Sequence, residues 1–187
     1  RRQRQMCIET DTISIKFAGV FSNIKDYFNS YGGLYELIRS PYLISSLLFN
    51  VLLYKSWTTS LWISDIKGII PSILGFSLGA YAILATFGNE RFQNLITNED
   101  NGENTLYRKI NTTFIHFIII QAFSLLLAIL CTSLLSEPYG LLEIIISFIG
   151  NLTFIYSIFL AVASVLTIFR ITKIYQKYIN VNNSDRK

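Results

Sequence analysis

One string in the chain matches a catalytic signature, Gly75-Phe76-Ser77-Leu78-Gly79, a literal G-x-S-x-G. In hydrolases that string folds as a strand-to-helix elbow that lifts the serine hydroxyl toward a base. Here it sits inside an apolar run that reads as a transmembrane helix, and the chain's single histidine is His116. A serine without an elbow and without a base partner is no nucleophile, so no catalytic residue is assigned and an enzyme is not expected. One histidine also excludes a histidine-rich metal centre within one chain, and neither metal nor cofactor is expected. His116 falls six residues into the third apolar run, about 9 Å deep at 1.5 Å per residue. Two roles suit that depth: bonding to neighbouring helices and proton sensing.

Coupled transport generally requires carboxylates or cations near the midplane of the bilayer, and the centres of the apolar runs carry none. Glu137 and Glu143 fall at an outer boundary. A proton- or sodium-coupled transporter is thereby disfavoured, whereas a passive pore lined by Ser, Thr, Asn and Gln in an oligomer survives, because it needs no intramembrane charge.

The elements that carry these residues follow from composition. Hydrophobic residues make up 51% of the 187 and charged residues 15%, against about 25% charged in soluble domains. A span needs about 20 apolar residues, and the apolar material suffices for four. The sequence therefore predicts an all-α polytopic membrane protein: four transmembrane helices in an antiparallel bundle, about 42–63, 68–88, 110–135 and 141–169, with an N-terminal amphipathic interfacial helix. Residues 1–40 form an N-terminal segment, 89–109 a polar loop, and 170–187 a basic helix extension whose tail after Asn180 reads as disordered. Trp57 and Trp62 suggest an aromatic belt, Ser64-Asp65-Ile66-Lys67 a tight turn, and Pro71 the first turn of span two. In the N-terminal segment Ile13, Phe17, Val20, Phe21, Ile24, Phe28 and Tyr31 share one helical face, with Lys16 and Lys25 on the other. Such a face suits either the headgroup boundary or packing on the rest of the protein. Cys7 and Cys131 lie in segments too different for a disulfide between them.

Cations set the orientation. Of the 16 lysines and arginines, all but Lys55 and Lys67 fall before span one, between spans two and three, or after span four. The positive-inside rule puts both termini and the loop 89–109 in the cytoplasm, in a plasma or inner membrane. The net charge of +4 is then a topology signal, not a nucleic-acid footprint, and direct nucleic-acid binding is not expected. Lys16, Lys25, Arg170, Lys173 and Lys177 become membrane-surface cations facing anionic lipid.

Small residues specify packing. In span two Gly68, Ser72, Gly75, Gly79, Ala82 and Thr86 follow a 4-3-4-3-4 spacing, a ridge-free stripe whose period favours a left-handed crossing. Weaker stripes run through Gly150, Ser157 and Ala161 in span four and through Gln121 and Ser124 in span three. Asn50, Gln121 and Asn151 are expected to bond between helices, at about 1 kcal/mol each. The stripes either assemble one subunit's own bundle or join copies into a homo-oligomer.

The layout of four spans and minimal loops, with Gly75-Phe76-Ser77-Leu78-Gly79-Ala80-Tyr81 leading into Phe87-Gly88-Asn89-Glu90-Arg91-Phe92, resembles small membrane subunits of bacterial anti-phage systems, nearest the Kiwa-type membrane subunit. The resemblance implies a homo-oligomeric membrane sensor or anchor working with a cytosolic protein partner, which would dock on the loop 89–109 and the termini.

Overall fold

The computed structural model describes residues 18–59, 61–88, 92, 106–134 and 140–184. Lys16, most of the loop 89–109 and the Ser136–Gly140 turn apart from Gly140 lie outside them. Among the described residues all regular structure is helical. Residues 18–31 form α1, followed by α2 (Gly33–Arg39), α3 (Pro41–Leu52), α4 (Tyr54–Thr58), α5 (Leu61–Ala85), α6 (Leu106–Leu134) and α7 (Leu141–Ser184). Gly32 and Gly33, at φ 97° and 74°, supply the left-handed elbow between α1 and α2, a conformation that favours glycine. Pro41 opens α3 at the first helical position, where its missing N–H costs nothing.

Three helices, α5, α6 and α7, are long and apolar enough to cross a membrane. The first expected span differs from the reading above. It is a 12-residue apolar helix, α3, broken from the short α4 at Leu53, where φ −88° and ψ 35° leave the helical region. The expected turn at 64–67 does not form, because α5 begins at Leu61 and runs straight through it. Pro71 consequently lies inside α5 and not in its first turn. Trp62 is not a belt residue: it and Ile66 are fully buried, and burying that face across the junction favours continued helix over a turn. At the other end, α7 continues past Asn180 to Ser184.

α7 is the central element, with α3, α4, α5 and α6 all packed on it. Successive rods alternate in direction. Asn50 lies beside Asn151 while Tyr42 and Leu43 pack against the cluster of Phe117, Tyr156 and Leu160, so α3 opposes α7. Trp62 meets Gly150 and Leu84 packs near Ile171, so α5 runs with α7; α6 returns, with Phe114 near Ile171 and Ala128 near Phe154.

Polarity is distributed inside out. Among the buried residues are Ser46, Asn50, Ser77, Thr112, His116, Gln121, Ser124, Ser147, Asn151, Ser157 and Ser164. Large apolar side chains such as Phe76, Leu126, Val162 and Phe169 instead stand exposed on the outside of the long helices. Water would penalise that surface, whereas hydrocarbon accepts it and forces the polar groups inward.

Candidate functional site

Two polar centres sit between the helices. The first is a clamp at the α3–α4 break. Asn151 Nδ2 donates to Asn50 Oδ1 at 2.6 Å, Asn50 Nδ2 donates to the Phe148 carbonyl at 3.2 Å, and Ser56 Oγ donates to Asn151 Oδ1 at 3.0 Å. The Asn50 carbonyl, at the break, accepts the Trp57 indole N–H at 3.0 Å. A kink in an apolar helix leaves backbone groups that hydrocarbon cannot satisfy; here a side chain four residues past the kink supplies a donor. Gln121 departs from the expectation set for it. It is fully buried, yet its amide nitrogen and oxygen have no hydrogen-bond partner among the described residues.

The second centre surrounds His116 on α6. Its Nδ1 bonds the Tyr27 hydroxyl and its Nε2 bonds the Tyr156 hydroxyl at 2.9 Å. The Tyr31 ring stacks on the imidazole with centroids 4.2 Å apart. Tyr27 and Tyr31 are four residues apart on α1, so one helical face delivers both, and Tyr156 comes from α7. Arg108 reinforces the joint by donating from Nε and Nη2 to Ser30 Oγ at 2.9 and 2.7 Å. Burial pushes the Tyr27 hydroxyl up to about 12 and raises Tyr31 as well. A neutral imidazole donates from one nitrogen and accepts at the other, so the two tyrosines take opposite roles. The arrangement fastens the N-terminal helix to the bundle. Ser77 Oγ is engaged elsewhere, donating to the Ile73 carbonyl of its own helix at 2.6 Å.

α1 meets the bundle through its last turn, at Tyr27, Ser30 and Tyr31, while residues 18–26 are exposed all round, Val20, Phe21 and Ile24 among them, and Phe28 is exposed too. Beside the joint lies a cleft of about 280 Å³ with Tyr31, Glu36, Arg39, Thr113, His116 and Leu160 among its lining residues.

The small-residue stripes divide between two environments. Gly150 is buried under the Trp62 ring, Ser157 is buried with Oγ bonded to the Phe154 carbonyl, and Ala161 packs on the cluster of Phe117, Tyr156 and Leu160. On α5 and one residue past its end the whole series Gly68, Ser72, Gly75, Gly79, Ala82 and Thr86 is exposed, and a Cβ added at Gly68, Gly75 or Gly79 would meet nothing among the described residues within 4 Å. Of the surface cations, Lys25, Arg170, Lys173 and Lys177 are exposed, with Lys173 Nζ 5.7 Å from the Phe169 ring centroid; Lys16 lies outside the described residues.

At the root of the loop 89–109, Phe92 is fully buried among Phe87, Tyr175 and Tyr178. Gly88, at φ 91°, lets the chain pass under that ring, since a Cβ there would stand 2.6 Å from Phe92 Cδ1. Sequence reasoning missed Tyr27, Tyr156 and Trp62 as joint and core residues. The one usable signal was the four-residue spacing of Tyr27 and Tyr31.

Comparison of the chain with protein-family models, with curated proteins and with solved structures finds no match.

Proposed function

We propose that this chain is a four-span, homo-oligomeric membrane subunit that serves as sensor or anchor for a cytosolic partner in bacterial antiviral defence. Its place is the inner membrane with both termini cytoplasmic. The observation that carries the membrane part is the inverted polarity, buried Asn, Gln, Ser and His under an exposed apolar jacket. The fourth span is α3 with α4: 18 residues from Pro41 to Thr58 rise about 27 Å, close to a hydrocarbon core of about 30 Å. Lys55 snorkels from it to the outer surface.

The outward stripe on α5 supports association of copies, because in lipid small residues let backbones approach and none of this stripe is buried by the described residues of the subunit. The partner-binding role draws on α7. Its 44 residues rise about 66 Å, so its basic end stands well clear of the bilayer beside the loop root. The antiviral setting comes from the resemblance of residues 75–81 and 87–92 to the Kiwa-type membrane subunit.

Replacing Gly79 by Leu and sizing the detergent-solubilised protein tests the assembly. The expected result is a smaller particle with unchanged helicity; an unchanged size removes α5 as the interface. Tagged wild-type protein is expected to be tolerated by cells and to retain a soluble partner encoded beside it. Depolarisation of cells by this chain alone would instead assign the oligomeric pore.

A further inference from the structure

We infer that the cleft beneath the α1–α2 elbow binds the headgroup of a zwitterionic aminophospholipid, one carrying a phosphate and a primary ammonium. The inference rests on the membrane reading above. Four observations carry it.

The first is depth. Thr113, which lines the cleft, lies one helical turn inside Lys109, about 6 Å along α6, and Pro41, where α3 enters the bundle, lines it too. That is the level of lipid phosphates and glycerol in the cytoplasmic leaflet.

The second is charge. Glu36 and Arg39 line the cleft one turn apart on α2 and form no ion pair with each other. Arg39 is drawn the other way: Nη1 donates to the Tyr35 hydroxyl at 2.5 Å and the guanidinium lies 5.1 Å from that ring's centroid. Both side chains are exposed, and their separation leaves a carboxylate for an ammonium and a guanidinium, with further N–H donors, for a phosphate.

The third is the polar supplement. Ser40 and Tyr42 add hydroxyls to the same lining, donors suited to the non-bridging phosphate oxygens.

The fourth is the exit. Leu160 and Ala163 form the apolar side of the cleft, and the next turns of α7 and α3 expose Val162, Leu166 and Ile44, a surface for acyl chains. The same geometry discriminates among lipids. A choline headgroup has no N–H to give Glu36, and a glycerol headgroup offers that carboxylate only neutral hydroxyls in place of an ammonium.

The test is native mass spectrometry of the full chain in detergent, titrated with phosphatidylethanolamine, with phosphatidylcholine of the same chains, with phosphatidylglycerol and with inorganic phosphate. The ethanolamine lipid is expected to bind about tenfold more tightly than the choline lipid, the worth of one exposed charge-assisted hydrogen bond. Glu36→Gln should shrink the preference to about twofold or less, and Glu36→Asp should restore part of it. Arg39→Gln should weaken both lipids together, and Lys67→Gln, at an exposed residue outside the cleft lining, should change neither. Equal binding of the ethanolamine and choline lipids, or a preference that survives Glu36→Gln, overturns the inference. Displacement of bound lipid by inorganic phosphate at equal concentration assigns the cleft to a soluble phosphate and overturns it too. Resistance of the same protein to carbonate extraction from vesicles is scored in parallel. Loss of that resistance sinks the membrane reading and this inference with it, whereas resistant protein without lipid preference sinks the inference alone.

Discussion

Gly150→Ala adds one methyl group at the tightest point of the bundle. A Cβ there would stand 2.3, 2.4 and 2.9 Å from Cη2, Cζ3 and Cζ2 of Trp62. The ring cannot retreat, since Trp62 is fully buried among Ile66, Ile70, Ala128 and Phe154. Overpacking of that kind costs about 1–3 kcal/mol. With three rigid ring atoms inside the limit of real carbon contacts, the expected value is the upper end, about 3 kcal/mol or roughly a hundredfold in the folded ratio. Reversible unfolding in mixed micelles, followed by helicity and by Trp fluorescence, measures it. Gly75→Ala on the same scale should be near neutral, because among the described residues no atom outside its own helix lies within 4 Å of the added carbon. Trp62→Phe removes the far edge of the indole, so the double variant with Gly150→Ala should be more stable than the two single losses summed, by at least about 1 kcal/mol. A Gly150→Ala protein as stable as the wild type, or strictly additive losses, would refute the close approach of α5 and α7.

Two further outcomes follow from the polar centres. Asn151→Leu removes the acceptor of Ser56 and the donor to Asn50, and should cost about 1–2 kcal/mol while speeding exchange of the Trp57 indole proton; unchanged exchange would mean that the kink is not held by this clamp. Tyr27, whose hydroxyl is pushed from 10 up to about 12 by burial, holds its proton more tightly folded than unfolded. Its contribution to α1 docking is therefore complete below pH 10 and lost between 10 and about 12. Phenolate absorbance should show Tyr27 and Tyr31 among the late-titrating tyrosines, and Tyr27→Phe should remove one phenol from that late group.

The long apolar runs made α5, α6 and α7 legible, because span length is set by bilayer thickness and composition reports it directly. The junction of α4 and α5 was not legible. A tryptophan at a belt and a tryptophan under a glycine look alike in sequence, and the residue that decides between them, Gly150, lies 88 positions away. For the same reason Asn50 and Asn151 could be flagged as polar residues in apolar runs, whereas their pairing with each other depends on α3 opposing α7. Periodicity exposed the α5 stripe but not its direction, since a ridge-free face suits either a neighbouring helix or a second copy. His116 was conspicuous as the sole imidazole; its tyrosine partners belong to helices that meet it only in the fold.

The length of α7 has a mechanical consequence. More than half of this rod's rise exceeds a hydrocarbon core of about 30 Å, and its C-terminal turns are braced by Phe87 and Phe92 through Tyr175. A force applied at Tyr178 thus acts on a stiff lever whose fulcrum is the Gly150–Trp62 crossing. Small sideways displacements at the C-terminal tip would be delivered as tilt to the N-terminal end of α7, and tilt imposed there would swing the tip.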